Sequence, residues 1–587
     1  MIKFHIMVKK KNNISEKNIF IFLWQFIKKK FIWYLVLLIF SIGAALDEVI
    51  TPFLVDNVLQ NFELFNNGAI TTSVVKSSVI KMISVWLLFD IFYRIAGAIS
   101  IFLYSKIEAE IRTYLFNKVQ FYKPVFFDKD SQEGVVENSI ADTADGAQEI
   151  IEFILTTLIP TILTVFINVK FIFVRNSYTG IVIFVWVIIH ALLSIILLQK
   201  SIYYSSELQN SQNQLAGAMI ESLINRSIVI QYDNQGLEDE NISFYQKAEV
   251  KSHQNLLLYN EVIKLVLNGL IIVFSIFLFI DIADKFMSKK LFINDVIYLF
   301  LTLFNIVRQV WFMGTQLMPF IEGIGQFNKG LLILDQKMEI RNIKEGDEFK
   351  PINTSIEFRG VTLKETNKII LDNISFRIED NEKVAFVGES GSGKTSILKL
   401  ILGLNDNYTG DIFIGGVNIR NVNTVAIRNF CGLLNQKHYW FNNKSIKENL
   451  LYGDTKATNE KLIEVCKKAF IYDVIDNLPE KLDTKISSNI LSGGQIQRLC
   501  LARLLLRKNK ILMCDELGNG LDVIALRSIG EFIKNFENTF IITTHNLYYR
   551  DLFNKFFIIK DGKLLDTGTH EELIKRSSIY QAMLQNF

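Results

Sequence analysis

Eight residues constrain this chain more than any others: GESGSGKT, made of Gly388, Glu389, Ser390, Gly391, Ser392, Gly393, Lys394 and Thr395. They fit G-x-x-x-x-G-K-[ST] in full, directly after the apolar run VAFV and before the helix-compatible SILKLIL. Strand, loop and helix in that order form the context in which such a loop cradles phosphates. Glycines let backbone N–H groups close around an anion, Lys394 places a point charge near the β- and γ-phosphates, and the Thr395 hydroxyl suits Mg²⁺. The expected ligands are therefore ATP, or another nucleoside triphosphate, and Mg²⁺.

A loop of this kind occupies a small part of 587 residues, too many for one hydrophobic core. Half the residues are hydrophobic, mean hydropathy is +0.26 and there are 47 phenylalanines, values that point to a membrane protein. The apolar excess crowds into the first 330 residues or so, and the last 240 read as an α/β segment. A net charge of +3 with acids and bases nearly balanced argues against nucleic acid as a partner. The four cysteines, Cys431, Cys466, Cys500 and Cys514, show no C-x-x-C spacing, which fits a reducing compartment without disulfides or a thiolate metal site.

The membrane half opens with eight lysines against one acid in residues 1–30, ending in Lys28, Lys29 and Lys30. Positive charge beside a first span marks the cytoplasmic side, so both termini are expected in the cytoplasm of a multi-pass protein of the cell membrane. No cleavable signal is expected, because the first apolar run is longer than an h-region. Residues 1–30 read as a cytoplasmic elbow helix, or alternatively as a disordered basic tail. Six segments of about 20 largely apolar residues follow, near 31–57, 78–104, 151–175, 178–200, 256–282 and 292–320. Short external loops are expected near 58–77 and 283–291, and two helical cytoplasmic arms at about 105–150 and 201–255. The expected domains are a membrane domain at 31–335, a charged linker at 336–350 and a nucleotide-binding domain at 351–587.

Ionisable residues inside spans are expensive and so mark function by default. Asp47, Glu48, Asp90, Arg94, His190, Glu261, Lys264 and Arg308 all fall there. Two readings stand: these groups neutralise one another within the bundle, or Asp47, Glu48 and Arg94 line a water-filled substrate cavity.

In the second half, SIEFRGV and ISFRI read as strands leading to the phosphate loop, and KILMCDE as a buried strand tipped by Asp515 and Glu516. Two carboxylates there suit metal binding by the first and activation of water by the second. Between them lies LSGGQIQR, with Leu491, Ser492, Gly493, Gly494 and Gln495 opening a helix. A glycine-rich loop at a helix N-terminus is a second phosphate site.

These motifs together resemble an ATP-binding cassette (ABC) exporter half-transporter, and the likeness covers nearly the whole chain. It is carried by GESGSGKT, LSGGQIQR, the DE strand, FFDKDSQEG at 126–134, the passage at 216–235 and FINDVIYLFLTL at 292–303. The resemblance implies an α-helical membrane domain of six spans followed by an α/β P-loop NTPase domain. It implies that Gln436 senses the γ-phosphate and Mg²⁺, that His545 is the switch histidine, and that Glu516 assists hydrolysis. Mg²⁺ would be held by Thr395, Gln436 and Asp515, and Asp522 would sit in the D-loop. It further implies a dimer of twelve spans, in which the 492–495 loop of one copy closes on ATP held by the other. That dimer is either a homodimer or a pair with a paralogous half-transporter.

Three departures from the family pattern stand out. Glu365 falls where an aromatic residue usually stacks on adenine, the D-loop reads NGLD from Asn519, and the stretch before Leu491 is short, as in some exporters of ribosomal peptides. The expected activity is ATP-driven export of an amphipathic substrate, namely a peptide natural product, a drug or a lipid. No leader-peptide-cleaving cysteine peptidase is expected, the first cysteine being Cys431. The alternative is an ATP-gated regulator or channel that pumps no cargo. A soluble ABC ATPase is disfavoured by the six spans.

Overall fold

The computed structural model describes residues 19–120, 122, 132–334, 348–365, 368–486, 490–516, 523–545, 547 and 550–585. They belong to two compact units, residues 1–337 and 338–587. The first unit is helical. Its opening helix α1 (Ile19–Ile27) buries Phe22, Leu23 and Phe26 and leaves Phe20, Ile21 and Trp24 exposed. Behind it, the Lys30 Nζ pairs with Glu110 at 2.5 Å. There follow α2 (Phe31–Ala45), α3 (Asp47–Asn66), α4 (Thr72–Val119) and α5 (Gln132–Glu152). A π-helical turn (Phe153–Leu158) then leads into α6 (Ile159–Arg175), α7 (Ser177–Ile224), α8 (Arg226–Gln231), α9 (Gln235–Met287) and α10 (Ile293–Leu334).

Six helical stretches, 19–66, 72–119, 136–175, 177–224, 235–287 and 293–328, are long and apolar enough to cross a membrane. Each overlaps one of the six expected spans. The 48-residue α4 and α7 and the 53-residue α9 run about 70–80 Å at the standard rise, more than twice an apolar bilayer core of about 30 Å. Their polar ends enter the two expected arms: the first is helical to Val119 and again from Gln132, and the second is helical except at residues 225 and 232–234. Most of FFDKDSQEG, residues 126–131, lies outside the described residues.

The loops expected at 58–77 and 283–291 are far shorter than the hydropathy pattern implies. Helix α3 continues to Asn66 and α4 begins at Thr72; α9 continues to Met287 and α10 begins at Ile293. Capping, not the end of the apolar run, stops these helices. At Gly68 (φ +72°) the Ala69 N–H bonds to Leu64 O and the Gly68 N–H to Phe65 O, a Schellman arrangement. Lys289 (φ +57°) makes the same closure, with Lys290 N bonded to Lys285 O and Lys289 N to Phe286 O.

Within the bundle α5 crosses α10 very closely. A Cβ on Gly146 would lie 2.4 Å from the Gly323 carbonyl oxygen, so glycine is what permits the two backbones to meet.

The second unit holds two sheets. The strands are β1 (Ile356–Glu365), β2 (Lys368–Ile378), β3 (Lys383–Val387), β4 (Tyr408–Ile414), β5 (Val417–Asn418), β6 (Cys431–Leu434), β7 (Ile511–Asp515), β8 (Phe540–Thr544), β9 (Lys555–Lys560) and β10 (Lys563–Gly568). An antiparallel sheet runs β2-β1-β4-β5, and a six-stranded sheet runs β10-β9-β3-β8-β7-β6, parallel from β9 to β6. Strand β3 is buried on both faces: Ala385 and Val387 face one hydrophobic cluster, Val384 and Phe386 the other. The helices are α11 (Lys394–Ile401), α12 (Thr424–Phe430), α13 (Ile446–Leu450), α14 (Asn459–Lys468), α15 (Tyr472–Asp476), α16 (Gly493–Leu506), α17 (Val523–Asn535), α18 (His570–Arg576) and α19 (Ser578–Gln585).

Candidate functional site

Four parallel neighbours, β3, β8, β7 and β6, end on one edge of the large sheet, and ligands of open α/β sheets gather at that edge. The residues that leave those strands are the ones singled out by spacing. Gly388 follows β3, Glu516 follows β7, His545 follows β8, and Gln436 stands two residues beyond β6.

The loop after β3 is tightly enclosed. A Cβ on Gly388 would lie 2.1 Å from Ile559 O, while Gly391 (φ +81°) and Gly393 (φ +105°) take left-handed backbone. Lys394, the first residue of α11, is 5% exposed, and its Nζ donates to Gly388 O and Glu389 O at 2.8 Å each. Desolvation lowers its pKa, opposed by the charges of Glu516 and Asp515. The ammonium thus stands inside the loop where phosphates would enter. Ser392 Oγ is buried without a partner, an orphaned donor at the same place.

The carboxylates lie beside it. Asp515 is 4% exposed, and its Oδ1 accepts from Thr395 Oγ1 at 3.0 Å and from Thr543 Oγ1. Glu516 takes left-handed backbone (φ +54°), its N–H held by Thr543 O and Oγ1. That turn at the strand end aims its carboxylate at Gln436 Nε2, which donates to Oε2, and at His545 Nδ1, 3.7 Å from Oε1. Spacing did not single out Thr543, although it stands two residues before His545 in IITTHN and ties Asp515 to Glu516.

Among the described residues no group of three or more His, Cys, Asp or Glu could hold a metal unaided. The donors present, Thr395 Oγ1, Asp515 Oδ1 and the Gln436 amide oxygen, are hard oxygens and too few to complete a shell. Mg²⁺ is usually bound in this way, with phosphates and water filling the shell, so the residues fit that ion.

At the start of α16, Ser492 caps the helix reciprocally: Gln495 N donates to Ser492 Oγ, and Ser492 N to Gln495 Oε1. Leu491 is buried, whereas a Cβ at Gly493 would meet nothing within 4 Å. The loop therefore offers an open face. Glu365, at the end of β1, accepts from Asn405 Nδ2 at 2.7 Å. Asp522, Asn519 and residues 487–489 lie outside the described residues. A groove of ≈ 230 Å³ beside Gln436 is lined by Leu434, Lys437, His438, Tyr439 and Arg503 among others, and no phosphate-loop residue faces it.

In the membrane unit, Glu48 pairs with Arg308 of α10, Arg94 with Asp90 on its own helix (3.6 Å), and Asp47 accepts from Thr51. The Arg94, Asp90 and Arg308 side chains are 75%, 59% and 54% exposed.

Residues 371–519 match the family model described as ABC transporter. A solved bacterial Atm1-family ABC exporter with ATP bound superposes with a TM-score of 0.86 at 18% identity, covering 95% of this chain and 98% of that one. The chain has the ABC exporter fold and an ABC transporter nucleotide-binding domain. Among curated relatives, heavy metal tolerance factor 1 of Caenorhabditis elegans is 26% identical over 74% of the chain and 55% of its own length. The iron-sulfur clusters transporter ABCB7 of Oryzias latipes is 26% identical over 93% and 75%. The ATP-dependent lipid A-core flippase of Desulfotalea psychrophila is 34% identical over 45% and 46%. The chain spans about half the length of several of the curated relatives it matches.

Proposed function

We propose that the chain is one half of an ATP-driven exporter that carries an amphipathic substrate across the membrane by alternating access, working as a homodimer. The observation that carries this reading is the convergence of Lys394, Thr395, Asp515, Glu516, Gln436 and His545 at one sheet edge, on a chain with six membrane-length helices.

In this reading Lys394 turns from the Gly388 and Glu389 carbonyls to the phosphates, and the glycine-rich loop supplies backbone N–H groups. Thr395, Asp515 and Gln436 hold Mg²⁺, which when bound neutralises charge on the phosphoryl oxygens. Glu516 accepts a proton from the attacking water, Gln436 and His545 orient its carboxylate, and His545 donates toward the γ-phosphate. The Ser492–Gln495 loop of a second copy completes the site. Closure drives the membrane unit only through the higher affinity of the closed state for ATP. Peptide, drug and lipid all suit the apolar bundle, and the relatives' names point to different cargoes.

ATPase activity of the purified protein, wild type against Glu516→Gln, tests the engine. Loss of a general base costs on the order of 10²–10⁴-fold in rate. An unchanged rate in the variant refutes the role given to Glu516, and no hydrolysis in wild-type protein refutes the homodimer reading. ATP-dependent accumulation in vesicles separates a pump from an ATP-gated channel, because a channel equilibrates its solute and never concentrates it.

A further inference from the structure

His190 of one span meets an i,i+3 charged pair of another, Glu261 and Lys264. A cavity of ≈ 600 Å³ opens between α7, α9 and α10, lined by His190, Glu261, Lys264, Asn268, Trp311 and Thr315 among apolar neighbours. That volume is in the range of small-molecule sites. His190 is 6% exposed and its Nε2 has no hydrogen-bond partner, the Leu267 backbone being the polar group that faces the ring. An unsatisfied nitrogen in an apolar bundle is costly unless something fills the space it faces. At the rim, Lys264 Nζ and Glu261 Oε1 stand 2.7 Å apart, with side chains 46% and 68% exposed, so each keeps hydrogen-bonding capacity for another group.

Depth along the helices gives the cavity a direction. Counting 1.5 Å per residue from the start of α7, His190 lies about 20 Å down, roughly two-thirds of the way across a bilayer core of about 30 Å. Counting from residue 282 of α9, Ile271 lies about 16 Å down, Lys264 about 27 Å and Glu261 about 31 Å, at the opposite boundary. The charged pair therefore sits at an interface, and the apolar walls and His190 reach inward from it.

We infer that this cavity binds a zwitterionic amphiphile, a molecule with an amine and an anionic group at one end of an apolar body. Its amine meets Glu261, its anion meets Lys264, and its body lies along Leu267, Ile271 and Val310 with a polar atom toward His190. A singly charged ligand would satisfy one member of the pair and leave the other facing a neutral group. The inference rests on the exporter reading and names the substrate class for it. Two sources share this chemistry: an α-amino acid with a long apolar side chain and a lipid with an amino-phosphate headgroup.

The test titrates Trp311 fluorescence in maltoside micelles with 2-aminododecanoic acid in four forms: free, N-acetylated, C-amidated and doubly blocked. Lysophosphatidylethanolamine forms a fifth arm, and Trp311→Phe controls for the origin of the signal. The free amino acid or the lysolipid, or both, is expected to bind about tenfold more tightly than the singly blocked forms. The preference is expected to vanish in Glu261→Gln and in Lys264→Met, and to return in the Glu261→Lys, Lys264→Glu swap. His190→Leu is expected to weaken every probe. Binding of the amino acid alone identifies a carboxylate as the anion, and binding of the lysolipid alone a phosphate. Equal affinity of the free and doubly blocked amino acid with no lysolipid binding, or a preference that survives both single substitutions, overturns the proposal. Basal ATPase measured on the same preparation keeps the two readings apart, since hydrolysis without selectivity sinks this inference alone and selectivity without hydrolysis sinks the engine alone.

Discussion

Glu516 holds left-handed backbone that residues other than glycine adopt at a cost of order 1–3 kcal/mol, and it does so beside the loop that holds Lys394. Three bonds from Thr543 keep it there: its hydroxyl to Asp515, and its carbonyl and hydroxyl to the Glu516 N–H. Thr543→Val is therefore expected to lower hydrolysis by loosening both carboxylates while leaving ATP binding within a few-fold, a separation that binding and turnover assays check. Gly388→Ala is a packing test, since its Cβ would lie 2.1 Å from a backbone oxygen. Overpacking of that kind costs roughly 1–3 kcal/mol, read as a lower thermal midpoint of the nucleotide unit. Both positions lie in or beside motifs visible in the sequence. What the motif did not carry is why a threonine two residues before His545 matters, because that depends on β7 and β8 being neighbours.

Between elements, the clearest device ties the middle of α3 to the end of α6 and the start of α10. Arg175 bonds Asp56 at 2.7 Å and reaches Asp295 at 3.4 Å, its guanidinium lying 3.9 Å from the centre of the Tyr298 ring. The Asp56 side chain is only 5% exposed, so Arg175→Ala would leave a buried carboxylate unpaired and destabilise the bundle by about 3–5 kcal/mol. A thermal shift in detergent reads that loss, and Asp56→Asn combined with Arg175→Ala is expected to recover part of it. Hydropathy placed all six spans but misplaced the turns between them. Residues 58–66 and 72–77 mix apolar and polar side chains yet are helix-compatible, and the stop comes from left-handed backbone at Gly68, a signal of turn chemistry and not of polarity.

For the whole molecule, the proposed site is complete only when two copies meet, which gives a complementation test. Lys394→Ala and Ser492→Arg are each expected to abolish hydrolysis. In mixed dimers one site carries both lesions and the other neither, so co-expression is expected to restore roughly a quarter of the wild-type rate. No recovery would mean that each chain hydrolyses ATP without its partner's loop.

The phosphate loop, the DE strand, the LSGGQ helix start and the six apolar runs were determined by the sequence itself. Each rests on spacing within a few residues, where backbone geometry and hydropathy act locally. Only the tertiary structure decided which distant charges meet. Glu48 finds Arg308 across 260 positions, Arg175 finds Asp56 across 119, and Glu261 and Lys264 share a cavity with His190. Those partners are chosen by how long helices pack side by side, and a one-dimensional pattern of charges in apolar runs is compatible with many such packings.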